Sequence, residues 1–254
     1  MSKAEPLLRV DNIKKNFGPV EALRGVTFDV YPGEVVALLG DNGAGKSTLV
    51  KIIAGNQQAT SGSMLFDGKP VHFDSPADAK AAGIETVYQD LSLCPNIDVV
   101  GNFFMGRELC RKVLGVNVLD EARMQTETEK AIRDLGSRIP SVRTRVELLS
   151  GGQRQAIELA RFVYWGGKMV MLDEPFAALG VEQTRRGLEM IDKVRKLGIA
   201  VIVITHNMLH AFQVADRVVV LRHGVVAGDH DTTTTTPEEV VAMITGEFAR
   251  QAAG

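Results

Sequence analysis

The sequence predicts an α/β fold built on a mostly parallel sheet. Short β-branched runs recur at Val35–Leu39, Ile84–Val87, Met169–Leu172 and Ala200–Thr205. Helical stretches separate them, the order in which strands of a sheet covered on both faces are laid down. The first 30 residues depart from that pattern. "LLRVDNIKKNF" and "GVTFDVYPG" read as antiparallel strands with a turn at Pro32-Gly33, and so as an N-terminal antiparallel β subdomain. Residues 90–160 contain no convincing buried strand and carry many charges, as in "LDEARMQTETEKAIRDLG", which predicts an inserted α-helical subdomain. Over 181–197, Val181, Leu188, Ile191 and Val194 fall roughly on one helical face, with Arg185, Arg186 and Lys193 elsewhere and Gly198 as the stop. Near the end, Thr232–Thr236 is a low-complexity loop. Thr236 suits an N-cap, with Pro237 in the first helical position and Glu239 completing a capping box. There is no internal repeat.

Composition narrows the class. A chain of 254 residues is long enough for one large domain or a core with a subdomain. With 45% hydrophobic and 24% charged residues it reads as an ordinary globular protein. Lys and Arg total 29 against 31 acids, a net charge of -2, which opposes any chain-wide attraction to nucleic acid or anionic lipid but leaves room for a local patch. Cys94 and Cys110 lack metal-ligand spacing and read as free thiols of a reducing compartment. "MSKAEPLLRVDN" has no apolar core of a signal peptide, and "VVALL" and "IAVIVI" are far too short to span a bilayer. The expectation is a cytosolic protein whose work at a membrane, if any, needs a spanning partner.

"LLGDNGAGKSTLV" (38–50) matches G-x-x-x-x-G-K-[ST] at Gly40, Gly45, Lys46 and Ser47, after one predicted strand and before a helix. In such a loop the residues Gly40, Asp41, Asn42, Gly43, Ala44, Gly45, Lys46, Ser47 and Thr48 wrap a nucleotide's phosphates. The glycines let backbone N–H groups face phosphate oxygens, and the helix start adds partial positive charge. Lys46 would contact the β- and γ-phosphates, and the Ser47 hydroxyl would help hold Mg²⁺. A P-loop also needs a carboxylate at the end of a second buried strand. Asp173, ending "MVML", is expected to organise Mg²⁺, and Glu174 to act as base for an attacking water. Alone, two acids after a strand would read as a solvated loop or a helix cap.

"LLSGGQRQAIELARF" (148–162) resembles the signature of ATP-binding cassette (ABC) ATPases, with Ser150, Gly151, Gly152 and Gln153 as its Ser-Gly-Gly-Gln. A serine and glycines opening a helix also make a second anion-binding start. The resemblance covers nearly the whole chain. It implies a P-loop NTPase core of RecA-like type over 1–89 and 161–254, including the β subdomain, with a helical signature subdomain over 90–160. It also implies that Phe17 stacks on adenine, that Gln89 senses the metal and couples to the membrane partner, and that His206, after "VIVIT", contacts the γ-phosphate as a catalytic switch. His72, His210, His223 and His230 show no comparable constellation.

In that family one protomer's signature closes over another's P-loop nucleotide, so the resemblance implies a homodimer when ATP is bound. Membrane-spanning permease subunits would dock on the helical insertion near Gln89, at the cytoplasmic face of the inner (cell) membrane. The wording of "ETVYQDLSLCPNIDVVGNFFMGRE", "DEPFAALGVEQT" and "ITHNMLHAFQVADRVVVLRHG" resembles the ATPases of bacterial simple-sugar importers, the ribose/xylose/fructose group, in its single-cassette branch. That resemblance implies ATP and Mg²⁺ as cofactors, an extracytoplasmic sugar-binding protein acting indirectly, and no nucleic acid. The alternative is a soluble ABC ATPase of DNA repair or translation, though no long coiled coil, zinc insertion or second cassette is visible. An ordinary P-loop GTPase or kinase is disfavoured by the signature and by His206. Gly180 departs from the aspartate that ends the loop after the acids in many ABC ATPases, a departure frequent in the sugar-importer branch.

Overall fold

Buried β-branched strands build the larger of two compact units. The structure, a computed structural model, describes residues 5–87, 93–176 and 180–247. As far as they are described, Met1–Thr86, Gly167–Pro175 and Val194–Gly254 form this first unit. Its antiparallel sheet has the order β2-β1-β4-β5, from β1 (Leu8–Phe17), β2 (Val20–Val30), β4 (Ser61–Phe66) and β5 (Lys69–Val71). In β1, Leu8, Val10 and, past an irregularity at Asn12, Ile13 are buried, as expected of a strand with one covered face. Pro32 and Gly33 close the turn after β2, with Glu34 N–H donating to Tyr31 O at 3.1 Å.

The second sheet has the order β12-β11-β3-β10-β9-β6. Its strands are β3 (Val35–Gly40), β6 (Ile84–Val87), β9 (Met169–Asp173), β10 (Ala200–Ile204), β11 (Arg217–Arg222) and β12 (Val225–Asp231). β3 and β10 are buried along their whole length, which is why both read as unbroken apolar runs. β10 pairs in parallel with β3 on one side and β9 on the other, and β11 pairs in parallel with β3. β11 and β12 are antiparallel, so the sheet is mixed. The motif reading does not single out this hairpin. Helix α1 (Lys46–Ile53) contributes Leu49, Val50, Ile52 and Ile53 to one core with residues of both sheets. Arg217 ties the first unit together electrostatically, bonding Glu34 at 2.7 Å, Asp229 at 2.6 Å and the Asp29 carbonyl. Burial works against its charge, but the hydrogen bonds it donates to Glu34 and Asp229 raise its pKa above the ordinary arginine value.

The second unit, Val87–Gly166 and Phe176–Lys193, is helical where described, apart from one hairpin. It holds α3 (Val99–Phe104), α4 (Glu121–Asp134), α5 (Gly151–Tyr164) and the first part of α6 (Val181–Lys196), with strands β7 (Cys110–Val113) and β8 (Val116–Leu119). Its extent differs from the expected 90–160. α5 is one continuous helix, which a boundary at 160 would cut, and residues up to Lys193 group with it. Both strands of the hairpin are exposed, so they carry no buried-strand signature.

Along α6 the expected apolar stripe holds at Ile191 and Val194 but fails at Val181, which opens the helix and is 91% exposed. The buried stripe begins one turn later, at Thr184. The remaining helices are α2 (Pro76–Ala82), α7 (Met208–Val214) and α8 (Pro237–Thr245). In α8, Thr236 and Glu239 form the capping box expected from the sequence, with Pro237 in the first turn.

Edge-on ring contacts join Phe103 and Phe104 to Tyr164, and Phe104 and Tyr164 to Trp165, holding α3 against the end of α5. Asn102, buried between them, secures the loop before α3. It accepts from Cys94 N–H at 2.7 Å and donates to the carbonyls of Cys94, Ile97 and Asp98 at 3.0, 3.1 and 3.0 Å. Asn102→Ala orphans these buried groups and is expected to destabilise the chain by about 2–4 kcal/mol. Urea unfolding followed by tryptophan fluorescence measures this, since Trp165 Nε1 donates to the Phe103 carbonyl next door at 3.3 Å.

Candidate functional site: a phosphate loop beside two carboxylates

β3 delivers the chain into the Gly40–Gly45 loop, and backbone packing closes two of its positions to any side chain. Gly40 has φ 146°, and a Cβ there would lie 2.2 Å from the Leu221 carbonyl of neighbouring β11. Gly45 has φ 106°, with Leu23 Cδ2 and the Ala22 carbonyl 2.6 and 2.8 Å from where its Cβ would be. Between them, Ala44 N–H donates to Asp41 O at 3.1 Å, and Asn42 N–H to Asp41 Oδ1 at 2.7 Å.

Gly45 is the N-cap of α1, so no side chain caps the helix, and its first turn carries no acid. The opening N–H groups of Lys46, Ser47 and Thr48 have no partner within the helix, which suits an anion from outside. The Lys46 ammonium bonds the carbonyls of Gly40 at 2.7 Å and Asp41 at 2.9 Å. Burial pushes its pKa below the ordinary value, while Glu174, Asp41 and Asp173 pull the other way. The loop therefore gathers one desolvated cation, a row of backbone donors and three neighbouring carboxylates.

The acids come from the next strand but one. Parallel pairing sets Ile204 of β10 beside Leu38 of β3 and beside Asp173 of β9. The strand ends carrying the loop, the acids and Thr205-His206 are thereby side by side, at roughly 4.8 Å per strand. Burial raises the Asp173 pKa and the charge of Glu174 raises it further, against the pull of Lys46 and Lys51. With the Ser47 hydroxyl, Asp173 offers the hard oxygen donors that a divalent cation such as Mg²⁺ takes.

Glu174 leaves the strand in the left-handed region, φ 48°, with its N–H bonded to Ile204 O at 2.8 Å. That turn aims its carboxylate at the next loop. Oε1 accepts from His206 N–H at 3.1 Å and sits 2.7 Å from His206 Nδ1. Oε2 accepts from the Thr205 hydroxyl at 3.3 Å. Thr205 is buried, and its oxygen already accepts Asn207 N–H at 3.1 Å, which leaves its proton for Glu174. Thr205 is a positioning residue that motif reading passed over. The available signal was a threonine directly before the histidine at the end of a buried run.

Phe17 ends β1 half exposed, with the Lys15 ammonium over its ring at 5.1 Å. Gln89 lies outside the described residues. Ser150, Gly151, Gly152 and Gln153 belong to the second unit, whereas the phosphate loop belongs to the first. Ser150 caps α5, accepting Gln153 N–H at 3.4 Å. Gln153 returns Oε1 to Ser150 N–H at 3.0 Å and gives Nε2 to Arg138 O at 3.1 Å. Both ends of the Gln153 amide are thus used in holding the turn, and the Ser150 hydroxyl keeps its proton to donate.

A glycine-lined loop at a strand end, a half-buried lysine and a carboxylate at the end of the next strand but one define a P-loop nucleotide-binding protein. The chain belongs to the ABC transporter family, whose family model matches residues 23–177. It is 45% identical over 239 residues to the xylose/arabinose import ATP-binding protein XylG of Sulfolobus acidocaldarius, covering 94% of each chain. It is 45% identical to the fructose import ATP-binding protein FrcA of Rhizobium meliloti over 224 residues, 87% of this chain and 86% of that one. Against a ribose import ATP-binding protein of Escherichia coli O157:H7 it is 41% identical but spans 47% of the relative's length. Among solved structures, CbiO1 of Clostridium perfringens, part of an ABC transporter complex, superposes with a TM-score of 0.77 at 27% identity, covering 94% of this chain and 91% of that one. Membership makes the chain a nucleotide-binding ABC ATPase.

The Thr205 contact makes a testable distinction. Thr205→Val is expected to lower kcat for ATP roughly tenfold with KM unchanged, the size of one hydrogen bond to a charged group. Thr205→Ser, which keeps the hydroxyl, is expected to restore most of it. Steady-state kinetics that move KM and kcat together would instead mean a merely structural role.

Proposed function

We propose that the chain is the ATP-hydrolysing motor of an importer for a small sugar, acting at the cytoplasmic face of the cell membrane through separate permease subunits. The observation that carries this reading is that two sugar-import ATP-binding proteins match it over almost the whole of both chains. None of the described helices is long and apolar enough to cross a membrane, in keeping with a motor that reaches it through a partner.

In this reading ATP lies along the Gly40–Thr48 loop, with its phosphates on the N–H groups of α1 and on Lys46 and its adenine on Phe17. Lys46 exchanges its two loop carbonyls for phosphate oxygens. Ser47, Asp173 and Gln89 would hold Mg²⁺, which when bound would neutralise phosphate charge. Glu174 takes the proton of the attacking water. His206 and Thr205 hold that carboxylate in place, and His206 keeps a ring nitrogen for the γ-phosphate. Ser150, Gly151 and Gly152 of a second copy donate to the same phosphate, with Gln153 shaping their turn, so that two chains form two sites. An extracytoplasmic binding protein delivers the sugar, and nucleic acid has no part.

The test is reconstitution with the permease in liposomes and uptake of labelled pentoses and hexoses. Lys46→Ala is expected to abolish uptake and hydrolysis. Glu174→Gln is expected to lower turnover at least 100-fold while ATP binding persists and a dimer accumulates on size exclusion, the scale of a lost general base. Uptake that survives Lys46→Ala would exclude the motor role, and full turnover in Glu174→Gln would remove Glu174 as the base.

Gly180 supplies a second test. It precedes α6 as its N-cap, accepting Thr184 N–H at 2.9 Å, while Gln183 Oε1 accepts its own N–H at 3.0 Å. Among the described residues a Cβ there meets only Gln183 Oε1, at 3.8 Å. Gly180→Asp is therefore expected to fold normally, gaining a few tenths of a kcal/mol from the cap. It is expected to change the Hill coefficient for ATP more than the affinity of an isolated site, as hydrolysis titrations and nucleotide binding to the monomer will show.

A further inference from the structure

The hairpin β7–β8 presents its apolar residues to solvent. All eight strand residues are exposed, and the turn between them places Leu114 at φ 50° and Gly115 at φ 84°. Both central residues with positive φ make a two-residue turn of the I′ type, where Asn, Asp or Gly is the favoured occupant of the first position. Leu114 holds that position at 101% exposure, so a large apolar side chain occupies a disfavoured conformation with no covering contact. The pairing Arg111↔Val118 and Val113↔Val116 puts Arg111, Val113, Val116 and Val118 on one face behind it, and Lys112 and Asn117 on the other.

Charge is layered along the hairpin. Lys112 and Arg111 lie two and three residues behind the tip, roughly 7 and 10 Å at strand rise, the depth of a lipid headgroup layer above shallowly inserted apolar residues. The acids sit only at the base. Glu108 and Asp120 are each six residues from Leu114, roughly 20 Å away. The Asp120 carboxylate caps α4 and that of Glu121 pairs with Arg143 at 3.1 Å. A partner that meets the tip therefore meets an apolar wedge and then two cations, while the chain as a whole carries -2.

We infer that the hairpin is a lipid-contacting element, with Leu114 and the flanking valines entering the acyl boundary of an anionic leaflet and Arg111 and Lys112 lying on its phosphates. The inference rests on the membrane placement proposed above, but not on the sugar or on the catalytic roles. Its contribution is weak alone and adds to permease docking as a second, intramolecular contact.

Sedimentation of the full chain with vesicles of phosphatidylcholine alone, or mixed with phosphatidylglycerol, tests it. Binding is expected on the mixed vesicles only, weakening as salt rises. Leu114→Asn suits the same turn better than leucine, so the hairpin is retained, and it is expected to reduce partitioning roughly tenfold by removing one buried apolar side chain. Arg111→Gln with Lys112→Gln is expected to reduce it roughly 30-fold, the share of two headgroup cations. ATP hydrolysis by both variants is expected to equal that of the unaltered chain, which also reports that they fold. No binding to anionic vesicles, or equal binding by all three proteins, overturns the inference. So does a Leu114→Asn chain that loses its permease in detergent while the unaltered chain ignores lipid, since the hairpin then docks on protein. Vesicle binding without sugar uptake would leave this inference standing and remove the importer reading instead.

Discussion

Three parallel strands in register hold everything else in place. β9, β10 and β3 run side by side so that Asp173, Ile204 and Leu38 come level, and whatever follows each strand emerges at one edge. After β3 comes a loop whose two closed positions admit only glycine, after β9 two acids, after β10 a threonine and a histidine. None of these groups makes a site alone. Each strand is buried along its length, so its register slips only by carrying apolar side chains out of the core, and the geometry at the edge is correspondingly stiff.

Electrostatics at that edge follow from shared burial rather than from any single pair. Lys46 is desolvated and looks for anions, and finds two carbonyls of its own loop. Asp173 is desolvated and crowded by Glu174, and both effects raise its pKa against the pull of Lys46 and Lys51. Burial thus works against the charged form of both groups. Glu174 is the exception: donors from Thr205 and His206 hold it by both oxygens in a left-handed turn. A carboxylate so restrained has its orientation set by the fold.

Much of this was legible in the residues. The strands at 35–39, 169–172 and 200–205 read directly because a strand covered on both faces shows as an apolar run, whereas 84–87 read from its β-branched residues alone. Thr236, Pro237 and Glu239 announced the last helix, because caps act over four residues. The paired β11 and β12 and the exposed β7–β8 went unread, since "RVVVLRHGVV" carries no chemical motif and an exposed hairpin has no core face to betray it. Val181 misled, because a helical stripe says which residues align but not where along the helix cover begins. Gln153 reads as part of a nucleotide contact, and only the fold shows that its amide also holds the turn around Ser150.

By itself the sequence determined the chemistry present. A glycine loop with its lysine, two acids after a buried run, a signature serine and a histidine after another run are each set by residues within a few positions of one another, where local rules apply. Only the tertiary structure decided which of these meet. The Glu174–His206–Thr205 contact joins residues 31 and 32 positions apart, and the closure of Gly40 depends on the carbonyl of Leu221 from a strand late in the chain. Those relations come from strand order and register, which depend on burying every apolar face at once and cannot be read from any one stretch of residues.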